Sequence, residues 1–334
     1  MALSYNTNFF KFVQNYLSKN RTVSHLPIEV SIELTNVCNF SCIFCPQSDG
    51  KHLDRLGRNF LSVNEADYIL QKLRSFGYKR KLIHWTLDGE PFVNRRFKDI
   101  FVKAKQYGFT VQHFATNGYF LDDKTLNELP NDVKFIFSID FCSNKDYFEY
   151  TRGTQGSWQV IKENIYNIIS KKYSNVELII NDISEFGDFT NKEIISMHDE
   201  MKRMFPDTTQ VSYSFRSFHN ATGFLEENFK KQPQKYHLCP YPWSSMFISS
   251  NGDVVACCRD LEHKSVMGNI FQEYSFNNIW NGESMISFRD NLILKNVQAN
   301  AACKSCDLPW DKDKFSLSNI SKTIFKRLEY RVFR

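Results

Sequence analysis

The chain has 334 residues, of which 42% are hydrophobic and 24% charged; that is enough apolar content for a sizeable core, and the length suggests about two domains. Its net charge of +5 is too mild to argue for nucleic acid as a partner. No stretch approaches the roughly 20 apolar residues that span a bilayer, and the start lacks a continuous apolar signal-peptide core, so a cytoplasmic location is expected.

In residues 1–27, Phe9, Phe10, Phe12, Val13, Tyr16 and Leu17 recur at helical spacing, which predicts a helical extension. From residue 28 a strand–helix alternation begins. Strands are expected over Ile28–Thr35, Leu82–Leu87, Thr110–Ala115, Val133–Ile139, Val176–Ile183 and Thr209–Ser217, each rich in β-branched and aromatic residues. Helical patterns lie between them at Asn64–Phe76, Arg95–Tyr107, Asp122–Leu129, Trp158–Lys172 and Lys192–Phe205. Six such repeats over 28–225 predict an α/β fold with a parallel sheet, open or closed into a partial barrel, whose functional groups gather at the carboxyl ends of the strands. The pattern changes over 226–310. Trp243–Ser249 and Asp253–Cys258 read as strands joined at Asn251-Gly252, a helical stretch covers Ser284–Leu294, and the region reads as a small cysteine-rich α+β domain. Residues 311–334 form a basic amphipathic tail, suited to an anionic membrane surface, a partner protein or the barrel itself.

The nine cysteines carry the chemical signal. Without an export signal a disulfide framework is not expected, and clustering points to metal ligation instead. Cys38, Cys42 and Cys45 follow the first strand directly. Three thiolates in one tight loop can ligate three irons of a four-iron cluster and leave the fourth open to a cofactor or substrate. A zinc knuckle would want paired spacings, which are missing here. Downstream, Cys239, Cys257, Cys303 and Cys306 can close a complete [4Fe–4S] cluster, with a zinc ribbon as the alternative. Adjacent strand residues face opposite ways, so Cys257 is taken as the ligand and Cys258 as a buried small hydrophobe.

The first motif resembles the CxxxCxxC signature of the radical S-adenosylmethionine superfamily, with the aromatic Phe44 before the third cysteine. Successive predicted strand ends carry further matches. Asp88-Gly89-Glu90-Pro91 resembles the family's GGEP segment, which binds the amino group of the cofactor's methionine part, although Asp88 replaces the first glycine. Thr116-Asn117-Gly118 resembles the TNG segment, and Ser138 and Asp140 the polar pair facing the cofactor. Tyr150-Thr151-Arg152-Gly153 is similar to the YRG segment, whose arginine suits the cofactor carboxylate. The resemblance implies a partial (β/α)6 TIM-like barrel, a SAM-binding [4Fe–4S] cluster, S-adenosylmethionine, a 5′-deoxyadenosyl radical and an external donor such as flavodoxin or ferredoxin. The late cysteines resemble a SPASM domain, shortened to the single-cluster twitch form of the aminocyclitol dehydrogenase of butirosin biosynthesis, which implies a second, auxiliary [4Fe–4S] cluster.

An auxiliary cluster makes a two-electron oxidation possible, so a sugar, aminocyclitol or similar small polar substrate is the leading expectation. Arg216, Asn181 and Glu185 are candidates for substrate contact at the fifth and sixth strand ends, where solvation or helix-end pairing is the plainer reading. The alternative is a peptide- or protein-modifying maturase. Such enzymes usually carry a longer cysteine-rich domain or a peptide-binding domain, for which 27 residues before the first strand are too few. A non-catalytic iron–sulfur protein is the third reading, and the cofactor motifs argue against it.

Overall fold

The computed structural model describes residues 2–206, 208, 210–215, 222, 224 and 236–310. Helix α1 (Ala2–Leu17) precedes β1 (Glu29–Ile32), a long cysteine-bearing loop containing α2 (His52–Leu56), and α3 (Val63–Ser75). There follow β2 (Leu82–Trp85), α4 (Phe97–Gln106), β3 (Val111–Thr116), α5 (Asp123–Asn127), β4 (Lys134–Phe141), α6 (Lys145–Arg152), α7 (Ser157–Lys171), β5 (Val176–Asp182), α8 (Asn191–Met204) and β6 (Val211–Phe215). The last part contains α9 (Tyr241–Ser244), β7 (Ser245–Ile248), β8 (Asp253–Val255), β9 (Val266–Asn269), α10 (Phe276–Trp280) and α11 (Glu283–Ile293). The helix starts follow local chemistry: Ser62 with Glu65 and Thr190 with Glu193 form capping boxes at α3 and α8.

One nine-stranded sheet runs in the order β6-β5-β4-β3-β2-β1-β7-β8-β9. Strands β1 to β6 are parallel, with helices on the outside, so the fold is an α/β partial barrel. The hairpin expected in the cysteine-rich region forms, but β7 also pairs in parallel with β1, from Glu29 opposite Ser245 to Ile32 opposite Ile248. The sheet therefore continues unbroken from the barrel into the cysteine-rich part. Sequence reading missed α2, α6, α9, β9 and α10, all of eight residues or fewer.

Alternation along each strand separates two faces. Phe114, Phe135 and Phe137 point outward and stack with Phe92, Phe97 and Phe101, the last two on α4, in one aromatic core. The opposite face lines the barrel lumen and is polar. There His84 and His113, in register on β2 and β3, bring their Nδ1 atoms to 3.0 Å, and Lys134 pairs with Glu177 at 2.6 Å. At the junction of α1, α9 and α11, Arg289 is fully buried with no carboxylate partner among the described residues, and it bonds Pro242 O, Arg21 O and Asn281 Oδ1. Among the described residues no helix is long and apolar enough to cross a membrane. The basic tail at 311–334 lies outside the described residues.

Candidate active site at the barrel mouth

The loop after β1 is fixed before it reaches its cysteines. Thr35 Oγ1 donates to Asn59 O at 2.6 Å, and Asn36 donates through Nδ2 to Gly57 O and accepts from Asn59 N. Cys42 is buried, and Cys38 and Cys45 are half-buried. Burial pushes all three thiols up, Cys38 to about 12 with Glu90 adding to the effect. Thiols in such surroundings ionise only when a cation compensates them, as an iron–sulfur cluster does.

Glu90 and Gly89 bring the second segment against this loop. The Glu90 N–H donates to Val37 O at 3.0 Å. Gly89 sits at φ +65, and a Cβ there would lie 2.2 Å from Thr35 O, so only glycine permits the approach. The Glu90 carboxylate is buried. Its Oε1 accepts from Thr116 Oγ1 at 2.7 Å, its Oε2 from Asn117 N at 2.7 Å, and burial pushes its pKa up to about 7. Pro91 opens the short turn that follows. Asn117 donates through Nδ2 to Asn39 Oδ1 at 2.8 Å, which ties the end of β3 to the cysteine loop.

The third edge is α6, where Gly153 ends the helix left-handed at φ +62 and packs on Ser41 so closely that a Cβ would lie 2.2 Å from its carbonyl oxygen. This places buried Arg152 beside the three thiols. Its Nη1 lies 3.2 Å from Asp140 Oδ2, and its guanidinium lies 5.5 Å from the Phe40 ring and 5.7 Å from the Phe44 ring. Its Nε is buried with no hydrogen-bond partner among the described residues. Asn181 donates to Ser138 Oγ at 2.9 Å and Asp140 Oδ1 at 3.0 Å, so the ends of β4 and β5 form one polar ledge. Of the substrate candidates, Asn181 thus joins the site. Glu185 lies on an exposed turn beside Phe186, whose ring packs on Phe44 at 5.2 Å. Arg216 lies outside the described residues.

A second centre lies beyond β7. Cys239, Cys257, Cys303 and Cys306 line a single pocket, with Phe288, Leu292 and Leu308 among its walls. Cys258 is not among the lining residues. It lies past the end of β8 in a turn, half-buried, where the alternation of strand faces no longer applies, and it hydrogen-bonds Cys257. Arg259, unremarked in the sequence, follows directly. It pairs with Asp307 at 3.1 Å and supplies a positive charge beside Cys306 and Cys239.

Residues 32–200 match the radical SAM superfamily and residues 239–307 match the SPASM iron–sulfur cluster-binding domain. The chain belongs to the radical SAM superfamily. It is 22% identical over 288 residues to the S-adenosyl-L-methionine-dependent 2-deoxy-scyllo-inosamine dehydrogenase of Niallia circulans, covering 83% of this chain and 92% of that one. Mycofactocin maturase MftC of Mycobacterium tuberculosis is also 22% identical, over 84% of this chain and 75% of its own length. The structure of BtrN in complex with AdoMet and 2-DOIA shares the fold at a TM-score of 0.57 and 19% identity, over 84% of this chain and 93% of that one.

The cofactors of such a chain are a SAM-binding [4Fe–4S] cluster, S-adenosylmethionine and an auxiliary iron–sulfur cluster. The donors fit them. The first loop offers three thiols and no fourth, the partnerless Arg152 Nε is a buried donor suited to a carboxylate, and the second pocket gathers four thiols. The histidines His84 and His113 escaped sequence reading because isolated histidines in strands carry no spacing signal. Arg259 could have been found from its place directly after the paired cysteines.

Proposed function

We propose that this chain oxidises a small polyhydroxylated metabolite of the sugar or aminocyclitol kind. Cys38, Cys42 and Cys45 would hold a cluster that supplies reductive cleavage of S-adenosylmethionine, and Cys239, Cys257, Cys303 and Cys306 would hold one that supplies an electron acceptor. Glu90, aided by Asn117, holds the cofactor's amino group, and Arg152 holds its carboxylate against Phe44 and Phe40. Ser138, Asp140 and Asn181 orient the cofactor and the upper edge of the substrate. Below them, Ser31, His84 and His113 offer hydrogen bonds to hydroxyl or amino groups.

The observation that carries this reading is the division of the nine cysteines. Three stand in the first loop and four around one pocket, which leaves Cys142 and Cys258, too few for a second four-thiolate site. A single auxiliary cluster beside a polar lumen suits removal of hydrogen from an alcohol. The equally extensive similarity to a mycofactocin maturase favours a peptide substrate as the second reading. A flavodoxin or ferredoxin is the proposed electron donor, and residues 311–334 the proposed contact with a partner or a membrane surface.

Anaerobically reconstituted protein, given dithionite and S-adenosylmethionine, should form 5′-deoxyadenosine in step with oxidation of 2-deoxy-scyllo-inosamine or a related aminocyclitol or sugar. Turnover dependent on a precursor peptide, with none on that panel, would replace this reading with the maturase. About eight irons per chain are expected, and zinc with about four irons would remove the auxiliary cluster.

A further inference from the structure

Asp88 stands where the family's segment has its first glycine, and its surroundings are built for the added carboxylate. Its side chain is 1% exposed. Oδ1 accepts from Gln47 Nε2 at 2.9 Å and from the Gly89 N–H at 2.8 Å. Oδ2 faces His52 Nε2 at 2.6 Å, and His52 is equally buried. The other ring nitrogen, Nδ1, is buried with no hydrogen-bond partner among the described residues. A proton there would have no acceptor, so the ring carries its N–H at Nε2 and donates to Asp88. Three donors thus converge on Asp88, the arrangement that an ionised carboxylate requires.

These donors tie Asp88 to the cluster loop. Gln47 and His52 both lie shortly after Cys45. Gln47 also donates through Nε2 to Asn36 O at 2.7 Å, and its backbone N–H bonds the Cys45 sulfur. The residue that grips Asp88 is therefore itself a donor to the sulfur of Cys45. On the other side the Asp88 N–H donates to Glu33 Oε2 at 3.2 Å, and Glu33 Oε1 accepts from Ser250 N and Oγ. Asp88 is thereby held from the cysteine loop, from β1 and from the β7–β8 turn, and its own chain continues into Gly89 and Glu90.

We propose that Asp88, clamped by Gln47 and His52, is a positioning residue that lowers the reduction potential of the cluster bound through Cys45 and keeps the Gly89-Glu90 segment in register with the cysteine loop. A fixed negative charge in a low-dielectric surrounding disfavours adding an electron to a neighbouring cluster, and hydrogen bonds to ligand sulfurs act on the same quantity. Arg152, whose positive charge lies beside the same three thiols, acts in the other sense.

The test is a redox titration of the reconstituted holoenzyme, following by electron paramagnetic resonance the cluster whose signal changes when S-adenosylmethionine is added. Asp88→Asn keeps the shape and removes the charge; its midpoint potential should rise while iron content stays as in the parent. His52→Gln, which retains a donor near Nε2, should leave the potential close to the parent value. An unchanged potential in Asp88→Asn at full iron content would overturn the proposal. If that variant holds no iron, the Asp88→Gly/His52→Leu pair, which restores the family's glycine and fills the space with an apolar side chain, decides in the same way. Loss of iron in both would make Asp88 a structural support and overturn its role in the potential. The inference rests on Cys45 as a cluster ligand, which loss of the S-adenosylmethionine-responsive signal in Cys45→Ala checks separately. It does not depend on the substrate.

Discussion

Replacing Glu90 by glutamine separates a charge from a shape at the centre of the cofactor site. In the protein, both oxygens of Glu90 accept hydrogen bonds, from Thr116 Oγ1 and from the Asn117 N–H, and burial raises its pKa from 4.5 to about 7. A folded-state pKa above the unfolded one means that the folded protein holds the proton more tightly. The associated stability is complete below about pH 4.5 and is lost as the pH rises through about 7, a contribution of about 3 kcal/mol. The cofactor's amino group, as a hydrogen-bond donor, is held by the opposite, ionised form. Affinity for S-adenosylmethionine should therefore weaken about tenfold for each pH unit below about 7 and level off above it. In Glu90→Gln the charge-assisted bond is gone, and an amide N–H₂ meets a buried donor. Both effects together should weaken binding about 10- to 100-fold at about pH 8, and the dependence on pH through 7 should disappear. Equilibrium binding to the reconstituted protein at a series of pH values measures both. Parent-like affinity in the variant at about pH 8, or an unchanged pH slope, would refute the assignment of Glu90 to the cofactor's amino group.

Three further outcomes are expected. Cys303→Ala should leave S-adenosylmethionine cleavage intact but abolish oxidised product, read by parallel quantification of 5′-deoxyadenosine and product; normal product formation would mean that the second cluster is only structural. Gly89→Ala should lose cofactor binding and cost more than about 2 kcal/mol in chemical denaturation, since its Cβ would lie 2.2 Å from Thr35 O at a left-handed φ. Arg289→Met should lower stability by about 2–4 kcal/mol in the same assay, because it strips the buried Pro242 carbonyl and the Arg21 carbonyl of their donor, even though burial has already pulled Arg289 down to about 9.

Much of the site was legible without coordinates because its signals are local. Cys38, Cys42 and Cys45 lie within one loop, so spacing alone limits what they can bind. Gly89 and Asn117 lie in the loops just beyond β2 and β3, where a parallel α/β sheet gathers functional groups, and Arg152 closes α6, the helix that follows β4. Glu185 shows the limit of that logic. It is placed one short turn past β5, yet its side chain faces solvent, since a turn residue's direction follows from packing and not from its place after a strand.

What the amino-acid sequence by itself determined was the sequence of strands and helices, the cluster-binding loop and the set of late cysteines, all properties of neighbours along the chain. Tertiary structure alone decided that β7 would pair with β1 and carry the sheet into the cysteine-rich part. It also closed Cys239, Cys257, Cys303 and Cys306 around one pocket, and brought His52 and Gln47 onto Asp88. Those contacts join residues far apart in the chain. They form only because burying the outward apolar faces of the strands fixes the sheet order and thereby the distances between its loops.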